Sequence, residues 1–225
     1  ALAARGILTL AVAGNHDHDT LPWIATLLQA HEFRLLGGGG GWERHTIRDG
    51  EGRAVLHVDG WSFPAGVVTE NPVPQLPRAP RDGVPVIGLL HADLDQPASR
   101  HAPVTLAGLR SAPVDFWLLG HVHRRGKLEH PGAPTVLYPG SLQAMDPGEP
   151  GVHGPWLLEI DPGGRFSVRQ VPLATLRYET LAVDVEDVEE EGILHVQVVD
   201  AVRRELERVE LEAGPLRYLS LRIRL

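Results

Sequence analysis

Short apolar runs alternate along the chain with clusters of turn residues and chemically active side chains. Residues 6–13 (GILTLAVA), 86–90 (VIGLL), 115–119 (DFWLL) and 135–138 (TVLY) are such runs, and bounded apolar runs of this length predict buried strands. Residues 42–47 and 53–58 read as strands joined by a hairpin at Asp49-Gly50, and 154–171 as a hairpin about Pro162-Gly163-Gly164. Residues 178–185 and 216–225 also carry strand-like spacing. Helices are predicted over 20–30, with Thr20 as N-cap and Pro22 in the first turn, over 105–110 and over 193–209. The glycine run 37–41 predicts a flexible connection, and the proline-rich stretch 64–85 an irregular surface excursion. The sum is an α/β fold. The texture changes after Pro172, which predicts domains at 1–173 and 174–225.

Composition narrows the picture. The chain has 225 residues, 43% of them hydrophobic, enough for a sizeable core. It has no cysteine, which excludes disulfides and thiolate chemistry. No run of about 18 apolar residues occurs and residues 1–10 lack a charged leader, so no membrane span or signal peptide is expected and the cytoplasm is the expected location. A net charge of −8 means that any nucleic-acid role must rest on a local site, bound cations or a basic partner. The only methionine is Met145 and the last residues stop within a strand pattern, so further sequence is expected on both sides.

The chemistry gathers where the apolar runs end. Three of them lead into Asn15-His16-Asp17, His91 and His121-x-His123. An α/β sheet collects its site at the carboxyl ends of its strands. Imidazole nitrogens and an amide oxygen suit Mn²⁺, Fe²⁺ or Zn²⁺. Gly120 is expected to let the backbone turn sharply there. Arg124, Arg125 and Lys127 follow directly and read equally as a solvated loop or as phosphate contacts. His18, His31, His45, His57, His101, His130 and His195 are expected to be structural or solvated, and His153 a surface loop residue. Ser141 reads as a turn or hydrogen-bonding residue, and residues 186–191 as a solvated helix start.

Gly14-Asn15-His16-Asp17, the strand-end His91 and Gly120-His121-Val122-His123 resemble the third, fourth and fifth motifs of the calcineurin-like metallophosphoesterases. That resemblance implies a two-sheet α/β sandwich with two divalent metal ions, Mn²⁺ foremost, with Mg²⁺, Fe²⁺ or Zn²⁺ as alternatives. Asn15, His91 and His121 would bind the second ion and His123 the first. His16 would protonate the leaving oxygen, oriented by Asp17, while the ions supply hydroxide and neutralise phosphoryl charge. The family's two earlier motifs, Asp-x-His and Gly-Asp, do not occur in residues 1–13, so this stretch is expected to hold half a site and to be inactive by itself.

Residues 137–161 (LYPGSLQAMDPGEPGVHGPWLLEID), 176–186 (LRYETLAVDVE), 57–64 (HVDGWSFP) and 89–96 (LLHADLDQ) are similar to SbcD-type, YhaO-like DNA repair exonucleases. Residues 174–225 would then begin a small α+β capping domain. The resemblance implies a metal-dependent DNA exonuclease whose partners are DNA and an SbcC-type ATPase, with a homodimer as a further arrangement. The rival readings are a phosphatase or nucleotidase for small esters, and a non-catalytic interaction module.

Overall fold

The structure is a computed structural model that describes residues 2–28, 33–78, 82–185, 190–212 and 214–225. His31 and residues 186–189 of the acidic run lie outside the described residues. Strand β1 (Thr9–Ala11) is shorter than the apolar run that predicts it and pairs in parallel with β2 (Phe33–Leu35), the helix α1 (Thr20–Leu28) lying between them in sequence. The larger sheet begins with β3 (Trp42–Arg48) and β4 (Ala54–Trp61), an antiparallel hairpin. Its turn forms because the Asp49 carboxylate accepts from the backbone N–H of both Glu51 and Arg53, each at 2.9 Å.

β5 (Val86–His91) follows in parallel with β4. The small parallel pair β6 (Asp93–Leu94) and β7 (Pro103–Val104) comes next, then α2 (Leu106–Ser111), capped by Thr105, whose hydroxyl accepts from Gly108 N–H at 3.0 Å. β8 (Phe116–Gly120), β9 (Gly126–Leu128) and β10 (Thr135–Tyr138) complete a six-stranded mixed sheet of order β3-β4-β5-β8-β10-β9. The fold is therefore mixed α/β around a large central sheet, with few helices.

The core packs on this sheet around Trp61, Phe63, Leu90, Leu109 and Trp117. Gly88 and Trp117 are partners in the β5–β8 register. A Cβ on Gly88 would come within 2.4 Å of the Trp117 ring, so glycine makes room for the indole. That ring cannot move aside easily: it is fully buried, its Nε1–H donates to Leu109 O at 2.9 Å, and Trp42 meets it edge-on at 6.1 Å.

The glycine run is not the flexible connection its composition predicts. Gly37, Gly39 and Gly40 hold φ values of 67°, 83° and 87° in an ordered turn. Gly37 N–H donates to Glu43 Oε2 at 3.0 Å, and Trp61 Nε1–H donates to Gly40 O at 2.9 Å. Only glycine adopts such a succession cheaply. Among the described residues of the excursion over 64–85 the one helical element is the short 3-10 turn Val73–Gln75, and Val73 and Leu76 are buried.

The chain divides into two compact units, Ala1–Gly140 with Asp161–Phe166, and Ser141–Ile160 with Ser167–Leu225. The boundary expected near residue 174 falls inside the second unit. That unit holds β11 (Trp156–Ile160), most of β12 (Phe166–Gln170), β13 (Leu176–Ala182), α3 (Glu191–Leu211) and β14 (Tyr218–Arg224), with β13 and β14 parallel. Arg177 is buried there among the carboxylates of Glu179 and Glu212. His153 is only 5% exposed, contrary to the surface position expected for it. Its two ring nitrogens are occupied by Ser141 Oγ at 3.1 Å and Glu149 O at 3.1 Å, which lets a polar ring be buried.

Gly88→Ala tests the close approach of β5 and β8. The added methyl is expected to cost about 1–3 kcal/mol, the usual penalty for overpacking, read as a lower urea midpoint with an unchanged slope.

Candidate metal centre

The site is built where β5 and β8 end side by side. His91 closes β5 and is the register partner of Gly120, which closes β8. The ring of His91 is wedged between two glycines. A Cβ on Gly14 would lie 2.5 Å from its Nδ1, and a Cβ on Gly120 would lie 2.9 Å from the same atom. Gly120 thus serves by lacking a side chain. The sharp turn expected of it belongs instead to the next residue: His121 sits at φ 95°, a strained value for a non-glycine residue.

Asn15 arrives from the turn after β1. The Asp17 carboxylate accepts from Gly14 N–H at 2.5 Å, and Asp17 O accepts from Leu21 N–H at 2.9 Å, which ties that turn to the start of α1. The Asp17 carboxylate thus shapes the turn that carries His16.

Three donor atoms converge. His91 Nε2 lies 2.8 Å from Asn15 Oδ1 and 3.2 Å from His121 Nδ1. Donors at that spacing would suit one cation. Burial, with His121 next in effect, pushes the His91 pKa down to about 4, so its ring is neutral near pH 7 and keeps a lone pair. Burial also lowers the pKa of His121, against the opposing charge of Asp93. A cavity of about 200 Å³ opens on these atoms and is lined by Asn15, His16, His91, His121 and His123. His16 and His123 are exposed. Arg124, Arg125 and Lys127 are exposed on the stretch that follows, and Lys127 Nζ lies 3.2 Å from Glu129 Oε1.

Sequence reasoning passed over two residues. Asp93, His101 and His121 bring their ligand atoms within 4.8 Å of one another. Asp93 Oδ1 lies 3.3 Å from His121 Nε2, and the His101 ring lies 4.7 Å from that of His121. The one available signal was Asp93, two residues after His91 and so on the same side of an extended chain. His101 carried none, because its approach depends on the loop between β6 and β7.

No protein-family model matches the chain. Over 199 residues, 87% of its length, it is 29% identical to a protein of Bacillus subtilis (strain 168) named uncharacterized metallophosphoesterase YhaO, of which that alignment covers 47%. The chain therefore spans about half the length of the curated relative it matches. This likeness supports the metallophosphoesterase superfamily, and the converging donors agree with metal binding. Among the described residues, no helix is long and apolar enough to cross a membrane.

Gly120→Ala tests the wedge. Its methyl is expected to push the His91 ring out of line and weaken Mn²⁺ binding about tenfold or more, measured by titration calorimetry, with the thermal midpoint changed far less than the affinity.

Proposed function

We propose that this chain is the metal-holding part of a phosphodiesterase that hydrolyses DNA, an SbcD-type repair exonuclease that works with two divalent ions, Mn²⁺ foremost. The observation that carries the proposal is the meeting of Asn15 Oδ1, from the turn after β1, with His91 Nε2 and His121 Nδ1 where the neighbouring strands β5 and β8 end. It occurs in a chain similar over most of its length to a metallophosphoesterase. Asn15, His91 and His121 would hold one ion, and His123 would contribute to the other. When bound, such ions activate water and neutralise charge on phosphoryl oxygens.

The chain's own groups do the rest. His16, exposed on the same cavity, delivers a proton from its ring to the leaving oxygen. Asp17 holds the turn that presents it, through Gly14 N–H. Neutral His91 keeps its place between Gly14 and Gly120 without competing protonation. Support for a DNA substrate comes from Arg124, Arg125 and Lys127, which put positive charge beside His123 in a chain of net charge −8. An SbcC-type ATPase is the proposed partner, and residues of the second unit the proposed start of a capping domain.

The test uses the full-length protein with a short DNA duplex and a small phosphate monoester offered in parallel. DNA hydrolysis with little turnover of the monoester is expected. Turnover of the monoester alone would move the reading to a phosphatase, and metal binding without either reaction to an interaction module. His16→Ala is expected to lower DNA hydrolysis at least about 100-fold with Mn²⁺ content intact, whereas His121→Ala lowers both. Equal loss of metal in the two variants would defeat this division of roles.

A further inference from the structure

We infer that Asp93 is a positioning residue for the metal centre: its carboxylate holds the Nε2 proton of His121 and thereby presents the Nδ1 lone pair to the ion. The inference rests on the metal-centre reading above and adds a residue that reading does not use.

A neutral imidazole has one N–H and one lone pair. His121 is approached on both nitrogens, with His91 Nε2 3.2 Å from Nδ1 and Asp93 Oδ1 3.3 Å from Nε2. A cation can therefore use only one edge of this ring. The Nδ1 edge faces Asn15 and His91 beside a cavity of about 200 Å³. On the Nε2 edge the donors are less convergent. Asp93 Oδ2 already accepts from the Ser99 hydroxyl, and His101 Nδ1 stands 3.9 Å away from it. A carboxylate beside a ring nitrogen favours the proton there, which leaves the lone pair on the opposite nitrogen.

The loop that carries Asp93 is built to hold it still. Asp93 N–H donates to His101 O at 2.9 Å and Asp95 N–H to Val104 O at 2.8 Å, closing the loop between β6 and β7. His101 N–H donates to Ser99 Oγ at 3.0 Å, and Tyr138 O–H ties down Ala92 O at 2.7 Å. Asp95 and Ala102 take φ values of 54° and 49°, conformations that side chains other than glycine adopt only when the surroundings impose them. Backbone strain is thus accepted at both ends of the loop that joins β6 to β7.

Two readouts on the purified chain test this. Long-range ¹H–¹⁵N histidine spectra of the metal-free protein at slightly alkaline pH report which nitrogen of His121 carries the proton. Calorimetric titration with Mn²⁺ reports affinity for wild type, Asp93→Ala, Asp93→Asn, His101→Ala and His91→Ala, with circular dichroism confirming that each is folded. The wild type is expected to show the Nε2–H tautomer and Asp93→Ala a mixture, with Mn²⁺ affinity lowered about 10–100-fold. Asp93→Asn, which keeps an acceptor oxygen of the same shape, is expected to fall between them, and His101→Ala to bind nearly as wild type. A wild-type proton on Nδ1 would overturn the inference. So would wild-type affinity in Asp93→Ala while His91→Ala loses the ion. Loss in His101→Ala equal to that in Asp93→Ala, with His91→Ala unaffected, would place the ion on the outer edge and overturn it too. Undiminished binding in His91→Ala counts against the metal-centre reading itself, and the tautomer then still decides whether Asp93 holds His121.

Discussion

Everything at the candidate site depends on how tightly the ring of His91 is enclosed. It stands between Gly14 and Gly120, with no space for a methyl on either side. Phe63 meets it edge-on at 5.4 Å, so its plane is set from a third direction. Enclosure has two chemical results. It aims Nε2 at the point shared with Asn15 and His121, and it keeps the ring neutral by making its charged form costly. A cation ligand needs both, because a protonated imidazole has no lone pair to give.

The sheet beneath supplies the rigidity. β5 and β8 are in register from Ile87 to His91, and the Trp117 indole fills the space that Gly88 leaves. That packing fixes where the two strands end, and so where His91 and the turn at His121 lie. Among the described residues the only non-glycine residues at positive φ are Asp95, Ala102 and His121. All three lie in the segments next to the donors. Strain persists where surrounding structure over-determines it, and here the well-packed core does so.

The second unit solves a different problem. Arg177 is buried with Glu179 and Glu212, and Arg208 joins both acids from α3. Arg177 and Glu179 are largely covered while Arg208 and Glu212 reach solvent, so the inner pair is the one whose breaking is costly and the outer pairs add little. The cluster ties β13 to the helix that leads to β14, and so holds together a unit whose helix exposes Ile193, Val196 and Leu206.

Much was legible in the chain alone. The four apolar runs became strands, the helix expected over 105–110 formed at Leu106–Ser111, and Asp49 made its turn, because periodicity and turn chemistry act over a few residues. The strand-end positions of Asn15, His91 and His121 marked the donors for the same reason. What the sequence could not show was distance between segments far apart in the chain. Gly14 and Gly120 read as turn residues, and only the meeting of β5 with β8 reveals that both make room for one ring. His153 read as exposed, although Ser141 and Glu149 satisfy both its nitrogens and allow burial. His101 read as structural or solvated and Asp93 was assigned nothing, until the closed loop between β6 and β7 set them beside His121. Local rules determined which residues could be ligands. Long-range packing alone decided which atoms face one another, since a contact across 30 or 76 residues depends on how every intervening element packs.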